Sequence, residues 1–226
     1  MFPIPKSPSA LIDVQTLSHD KGNLGGSVWA SAVAVGIWCG ANPTIFSGQR
    51  VLELGSGVGL GGLCALAVTN AASVTLSDWD KAAPSLVQNL RDNANSNPRW
   101  SDDARCYVEL FDWQDALENS FVAKSRFGVI VGADCMYTDQ PEIMLSLADA
   151  TWKHLEVREA DARPSAGYFW LPNRKSAKHQ RGVVMCLAEL KKHGIIEVQK
   201  FTLTNFAVRN WSGETLPLSL VTFTPF

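Results

Sequence analysis

A glycine-rich segment follows directly on a short apolar run at residues 50–54 and precedes a stretch with helical periodicity. Glycine has no Cβ, so a segment rich in glycine can turn tightly and bring its backbone N–H groups close to a ligand. The N-terminus of the following helix adds partial positive charge at the same place. The segment predicts a loop for a nucleotide-like ligand, the alternative being a tight turn without one. Its glycines are Gly55, Gly57, Gly59, Gly61 and Gly62.

The spacing of these glycines argues against a dinucleotide. The fingerprint G-x-G-x-x-G, opened at Gly55, requires a third glycine at the position where Leu60 stands. A frame opened at Gly57 fits the fingerprint but begins two residues too late after the strand. The alternating pattern E-x-G-x-G-x-G, which runs from Glu53 to Gly59, is complete.

Three further side chains that can do chemistry stand at the ends of two other apolar runs. Asp78 ends the run that begins at Val74, and a carboxylate there can accept both hydroxyls of a ribose. Asp134 and Tyr137 follow the run at 127–133, where a carboxylate and an aromatic ring can position and desolvate an amine. The alternatives are a solvated strand end for Asp78 and a helix-capping aspartate with a packed tyrosine for the second pair.

The elements that position these residues follow from the hydrophobic pattern. Short apolar runs alternate with longer helical stretches from residue 49 onward, which predicts an α/β fold with a parallel sheet. Strands are expected at 50–54, 73–77, 105–110, 127–133, 166–171, 195–202 and 218–224. Helices are expected at 28–39 with Ser27 as N-cap, 58–69, 81–96, 140–157 and 176–193, with a short helical turn at 114–119. No helix separates the last two strands, so we expect them to pair antiparallel at one edge.

Composition limits the classes of function. The chain has 226 residues, 46% of them hydrophobic, and a formal net charge of −2, which argues against the basic surface of a nucleic-acid-binding protein. Five scattered cysteines without a C-x-x-C pair predict reduced thiols in a cytosolic or nuclear protein. The apolar stretch at 28–39 is too short to span a bilayer. Isolated histidines predict no metal site.

Two segments fall outside this core pattern. Three prolines within residues 1–24 predict a flexible N-terminal arm before a single domain at 25–226. Residues 174–181 concentrate positive charge at the start of a helix, where the helix dipole disfavours it. This basic segment is either a solvated face or a docking patch for an acidic protein surface.

Together these motifs resemble the seven-strand S-adenosylmethionine-dependent methyltransferases. More narrowly, they resemble the non-histone protein lysine methyltransferases known as methyltransferase family 16. The resemblance covers roughly residues 25 to 200. The motifs that carry it are GSVW at 26–29, VLELGSGVGL at 51–60, L-x-x-N-x-x-x-N at 86–93, FDW at 111–113 and D-x-x-Y at 134–137.

The resemblance implies a Rossmann-like, seven-stranded, mostly parallel sheet of order 3-2-1-4-5-7-6 with helices on both faces, and S-adenosylmethionine as cofactor. It places Trp29 near the methionine end of the cofactor, with Glu53, Gly55 and Gly57 in the loop that holds that end. It makes Asp78 the ribose ligand, puts Trp113 beside the adenine and adds Ala133 to the cofactor-binding residues. Asp134 and Tyr137 are implied to line the mouth where a lysine enters. Val58 and Ser56 depart from the family's usual threonine and alanine, and neither change removes a backbone donor.

The function expected from this resemblance is transfer of methyl groups to a lysine of a non-histone protein by a monomeric enzyme. Chaperones, ATPases and translation factors are the implied substrate classes. The alternatives are a small-molecule or RNA methyltransferase on the same fold, or a catalytically idle module that holds the cofactor and a protein partner. The absence of an N/D-P-P-Y/F motif after the fourth strand, where Asp134 to Tyr137 stand, argues against RNA.

Overall fold

A computed structural model describes most of the chain. The described residues are 2–3, 11–12, 14–16, 24–79, 83–96, 105–114, 122, 124–156, 164–201 and 217–226. Within them, one large β-sheet forms the centre of the chain, and helices cover both of its faces.

The sheet has seven strands. They are β1 (Arg50–Leu54), β2 (Ser73–Asp78), β3 (Cys106–Leu110), β4 (Val129–Ala133), β5 (Ala166–Pro172), β6 (Gly194–Phe201) and β7 (Leu218–Pro225). Their order across the sheet is 3-2-1-4-5-7-6, as predicted. β7 runs antiparallel to both β5 and β6, and the other neighbouring strands are parallel. The predicted fold and the antiparallel pairing of the last two strands are confirmed.

The helices lie close to the predicted positions, except that the short helix at Pro43–Phe46 was not predicted. They are α1 (Ala30–Ala41), α2 (Pro43–Phe46), α3 (Leu60–Val68), α4 (Ala83–Ser96), α5 (Pro141–His154) and α6 (Ala177–Leu190). The prediction of Ser27 as N-cap is wrong: a 3-10 turn at Leu24–Gly26 precedes it, and Trp29 caps α1 through its extended backbone. The predicted turn at 114–119 lies outside the described residues from 115 onward.

Strand β5 shows how the sheet divides the core. Successive side chains of a strand point to opposite faces, and the neighbours Phe169 and Trp170 are both fully buried in different apolar clusters. The cluster around Trp170 includes side chains of α1 and α3, whereas the cluster around Phe169 includes side chains of α5 and α6. Each face of the sheet is therefore covered by its own set of helices.

The described part of the predicted N-terminal arm contacts the domain. Phe2–Pro3 pairs antiparallel with Leu11–Ile12, and Ile12 is buried in the cluster that contains Trp170. Gln15 exchanges hydrogen bonds with Asn89 of α4. Most other residues of the arm lie outside the described ranges, so its flexibility and the boundary at residue 24 stay predictions.

Three further features concern the described ranges as a whole. None of their helices is both long and apolar enough to cross a bilayer. Their His, Cys, Asp and Glu side chains form no group of three that could hold a metal ion. All five cysteines are free thiols, and only Cys106 among them is not buried.

Replacing Trp170 by alanine is expected to lower the free energy of unfolding by about 3–5 kcal/mol. The change removes a buried indole whose ring centroid lies 4.9 Å from that of Phe201 and 6.3 Å from that of Trp38. Urea denaturation followed by circular dichroism measures the loss. Val184→Ala, at a side chain that is 67% exposed, is the control and should change stability by less than about 0.5 kcal/mol. Equal losses for both variants would contradict this description of the core.

Candidate active site

The glycine-rich loop after β1 requires glycine for its backbone conformation. Gly55, Gly57 and Gly59 have φ values of +65°, +56° and +86°, a region that other residues rarely adopt. The loop is also closely packed: a Cβ at Gly55 would lie 3.1 Å from the ring of Trp113, and one at Gly57 would lie 3.0 Å from the carbonyl oxygen of Gly25. The glycines therefore allow both the tight turn of the loop and the close approach of Trp113 and Gly25 to it.

The carboxylate of Glu53 lies beneath this loop. It is buried and accepts a hydrogen bond from the N–H of Gly62 at 3.0 Å. Burial raises the pKa of Glu53 to about 7, and the hydrogen bond from Gly62 opposes the rise. A Cβ at Gly61 or Gly62 would collide with the Glu53 carboxylate, so these glycines let the first turn of α3 close over it.

Asp78 ties the glycine loop to the end of β2. Its carboxylate accepts a hydrogen bond from the N–H of Gly57 at 2.7 Å and another from the N–H of Trp79 at 2.8 Å. Burial raises the pKa of Asp78, and these two N–H groups lower it. Each carboxylate oxygen keeps a second lone pair, so the group can still accept hydrogen bonds from a ligand.

Asn89 holds the loop from the opposite side. Its side-chain amide donates a hydrogen bond to the carbonyl oxygen of Val58 at 2.8 Å and a second to the carbonyl of Gln15 at 3.2 Å. Asn93, one turn further along α4, donates to the carbonyl of Asn89 at 2.8 Å. Sequence reasoning assigned no chemistry to these asparagines, and the structure gives Asn89 a positioning contact with the loop.

A cleft of about 450 Å³ opens at the carboxyl ends of β1, β2 and β4. Apart from Glu53, every site residue predicted from the sequence lines it. These lining residues are Trp29, Gly55, Gly57, Asp78, Trp113, Ala133, Asp134 and Tyr137. The fold thus brings together groups that are more than a hundred residues apart in the chain.

Asp134 is the most constrained side chain of the cleft. Its backbone has a φ of +60°, an unusual value for a residue other than glycine, directly after β4. One carboxylate oxygen pairs with the guanidinium of Arg174, while the other, Oδ1, is buried and has no hydrogen-bond partner among the described residues. Burial raises the pKa of Asp134 to about 7, and the nearby Arg174 opposes that rise.

Arg174 is a cleft residue that sequence reasoning did not single out. Besides its ion pair with Asp134, its guanidinium lies 5.4 Å from the ring centroid of Trp29, within the range of a cation–π contact. In the sequence it is one of several cations in residues 174–181, and nothing local distinguishes it from Lys175. Only the position of β5 beside β4 brings it to Asp134.

Tyr137 stands where the cleft meets solvent. It is 38% exposed, and burial of the rest of the side chain raises the pKa of its hydroxyl. The cleft therefore has a closed end at the glycine loop and an open end flanked by an aromatic ring and a buried carboxylate. The free Oδ1 atom of Asp134 is an acceptor that lacks a donor, which fits a ligand with an N–H group at this end.

Solved structures share this fold. A methyltransferase from Pyrococcus furiosus aligns with a TM-score of 0.61 at 18% identity, covering 96% of this chain and 92% of that one. A putative RNA methyltransferase from Pyrococcus horikoshii aligns with a TM-score of 0.60 at 12% identity, covering 94% and 92% of the two chains. At these identities the likeness concerns the fold alone.

Relatives with closer sequences are lysine methyltransferases. The calmodulin-lysine N-methyltransferase of Arabidopsis thaliana is 30% identical over 146 residues, which are 65% of this chain and 44% of that protein. The human protein-lysine N-methyltransferase EEF2KMT is 27% identical over 169 residues, covering 71% of this chain and 49% of that protein. The chain thus spans about half the length of the curated relatives it matches.

The family match covers the strands and loops that form the cleft, except for the segment after β5 that carries Arg174. The lysine methyltransferase family matches residues 10–157, which include the glycine loop, Asp78, Asp134 and Tyr137. This match confirms the predicted family resemblance and, with it, S-adenosylmethionine as the cofactor. The chain belongs to the lysine methyltransferase family.

Proposed function

We propose that this protein transfers methyl groups from S-adenosylmethionine to a lysine side chain of a non-histone protein. The observation that carries the proposal is the buried, unpartnered Oδ1 atom of Asp134 beside the exposed ring of Tyr137, at the open end of the cleft. A lysine amine has the N–H groups that this acceptor lacks, and its long apolar stem suits an opening beside an aromatic ring. Membership in a lysine methyltransferase family supports the same assignment.

The closed end of the cleft suits the cofactor. Its bound form would supply an electrophilic methyl group on a sulfonium centre. In our proposal the backbone of Gly55 and Gly57 approaches the methionine end together with Trp29, and Asp78 accepts the ribose hydroxyls. Trp113, which packs against Gly55, flanks the adenine, and Ala133 completes the wall of the cleft. Glu53 contributes by fixing the loop from below.

The open end of the cleft must hold the target amine in its neutral form. Withdrawal from water beside Tyr137 lowers the pKa of a lysine amine. A lone carboxylate would have the opposite effect, because it stabilises the ammonium ion. The guanidinium of Arg174 compensates the charge of Asp134, so in our proposal Oδ1 can orient the neutral amine without strongly favouring its protonated form. Arg174 is thus proposed as a positioning residue.

The proposed partner is a protein, with chaperones, ATPases and translation factors as the expected classes. We also propose that the enzyme acts as a monomer in the cytosol or nucleus, where its five free thiols would remain reduced.

Transfer of radiolabelled methyl groups to proteins of a cell extract tests this function. Label on lysine after acid hydrolysis, insensitive to nuclease treatment of the extract, is the expected result. Label on RNA, on a small molecule or on arginine would show that the acceptor is not a protein lysine. Binding of S-adenosylmethionine without transfer to any fraction would indicate a cofactor-holding module instead of an enzyme.

Gly57→Ala is expected to weaken binding of S-adenosylmethionine more than tenfold, measured by calorimetry. The added Cβ strains a residue at φ +56° and presses on the Gly25 carbonyl, which displaces the N–H that Asp78 holds. A loss of one charge-assisted hydrogen bond, about 1.5–3 kcal/mol, corresponds to about a ten- to hundredfold change.

Gly48→Ala is the matched control for this substitution. Gly48 also has a positive φ, +71°, but a Cβ there would meet nothing within 4 Å. It should therefore cost stability through backbone strain, about 1–2 kcal/mol, without changing cofactor affinity. Equal cofactor affinity in the two glycine variants would show that the loop does not contact the cofactor.

Asp134→Asn and Tyr137→Ala are expected to lower the turnover number by about ten- to a thousandfold, or about 1.4–4 kcal/mol, while cofactor affinity changes little. Asparagine is the suitable replacement because it tolerates the positive φ of Asp134. Methyl transfer to extract proteins and calorimetry with S-adenosylmethionine provide the two measurements. Glu142→Gln, at an exposed carboxylate in the first turn of α5, should behave like the parent. Parental turnover in both cleft variants would remove these residues from the mechanism.

The rate of methyl transfer should rise with pH through neutrality. The pKa of Asp134 is raised to about 7 by burial, and the ionised form, which orients the amine, prevails above it. Arg174 lowers this pKa, so Arg174→Gln should move the rise to higher pH and Arg174→Lys should move it less. Asp134→Asn should leave only the alkaline rise of the lysine amine. An unchanged pH profile in Arg174→Gln would contradict the role of this ion pair.

A further inference from the structure

Helix α6 begins beside the open end of the cleft and is held against the segment that carries Asp134 and Tyr137. A Cβ at Gly182 would collide with the carbonyl of Thr138, so the helix lies directly on that backbone. Arg181 donates two hydrogen bonds to the carboxylate of Asp139, at 2.5 and 3.1 Å. The start of α6 is therefore fixed relative to the site where a target lysine would enter.

The exposed side of this helix start is positively charged. In residues 174–181, Arg174 is paired with Asp134 and Arg181 with Asp139. Lys175 and Lys178 are exposed and have no ion-pair partner among the described residues. The dipole of α6 disfavours positive charge here, and Asp139, whose pKa Lys178 helps to lower, is already paired with Arg181.

The same surface continues into an apolar patch. Val184 is 67% exposed and lies about one turn beyond Arg181 on α6. With Ala177, Gln180, Arg181 and Met185 it lines a shallow depression of about 440 Å³. We refer to Lys175, Lys178, Arg181 and Val184 together as the α6 ridge. The depression thus places an apolar contact beside the cations of the ridge.

We infer that the α6 ridge docks an acidic segment of the substrate protein next to the target lysine. The inference rests on the proposed function and specifies its substrate class. From Lys175 to Val184 the ridge extends about 15 Å, which an extended chain covers with about four or five residues. The segment should therefore carry aspartate or glutamate, and an apolar side chain, within roughly five residues of the lysine or on a surface adjoining it.

Charge complementarity favours an acidic protein over a nucleic acid. A phosphate backbone would meet the exposed carboxylate of Glu142, five residues after Tyr137, on a chain whose net charge is −2. An acidic protein segment can instead place its carboxylates at Lys175 and Lys178 and an apolar side chain at Val184. The positive charge of the ridge would then also attract the acidic residues around the target lysine towards the cleft.

The first test measures binding of two fluorescein-labelled peptides of eleven residues by fluorescence anisotropy. Both have a central lysine and one leucine, and one carries three glutamates where the other carries glutamines. The parent chain should bind the glutamate peptide about tenfold more tightly at low salt, and the preference should fall as salt rises. Equal affinity for the two peptides, or tighter binding of an RNA oligonucleotide of similar length, would overturn the inference.

The second test uses charge reversal in the ridge. Lys175→Glu with Lys178→Glu should abolish the tenfold preference, whereas Lys191→Glu with Lys200→Glu, at exposed lysines elsewhere, should retain it. The ridge variant should also raise the KM for nuclease-treated extract proteins about tenfold, with unchanged affinity for S-adenosylmethionine. Equal behaviour of the two double variants would overturn the docking surface.

The two proposals fail in distinguishable ways. In one case the parent protein methylates lysine, but the two peptides bind equally and the ridge variant binds and methylates like the parent. The docking surface is then wrong and the proposed function stands. If the glutamate peptide binds through the ridge but the parent labels no protein, the lysine acceptor is wrong and the acidic docking surface stands.

Discussion

The hydrogen bond from the N–H of Gly57 to the carboxylate of Asp78 is the contact on which the geometry of the site depends. It joins the loop after β1 to the end of β2, and it can form only because the loop turns through residues with positive φ. Glu53 below the loop and Asn89 beside it hold the same turn from two other directions. Three contacts within the protein therefore hold the loop in shape, which lowers the entropic cost of ordering it on ligand binding.

The open end of the cleft is governed by a second constraint, the burial of charge. Asp134 is held in an unusual backbone conformation with only one of its oxygens paired, which is costly unless a ligand completes the arrangement. Arg174 opposes the rise in the pKa of Asp134 that burial causes, and its contact with Trp29 links this pair to the wall of the cleft. Side chains just before α1 and just after β4 and β5 are thus connected across the cleft.

Helix α6 connects this chemistry to the surface. Its close packing on Thr138, possible only at a glycine, fixes an exposed row of cations beside the opening. The same helix buries Cys186 and Leu190 against the sheet, so one element supports the core on one side and presents the α6 ridge on the other. Because the buried and exposed sides of α6 have separate roles, substitutions on the exposed side can leave the shape of the cleft unchanged.

Hydrophobic periodicity was sufficient to predict the seven strands and most helix positions, and the spacing of the glycines predicted the loop. Resemblance to a known family then supplied the strand order and the roles proposed for Asp78, Trp113, Asp134 and Tyr137. The placement of Glu53 under the loop, the contact of Asn89 with Val58 and the pairing of Arg174 with Asp134 required the tertiary structure. These contacts join positions that are between nine and forty residues apart, so the local sequence pattern cannot predict them. The sequence by itself determined which elements form and which backbone can turn, because both follow from local sterics and the burial of apolar faces. Only the tertiary structure decided which charges meet, because that depends on how neighbouring strands and helices are aligned.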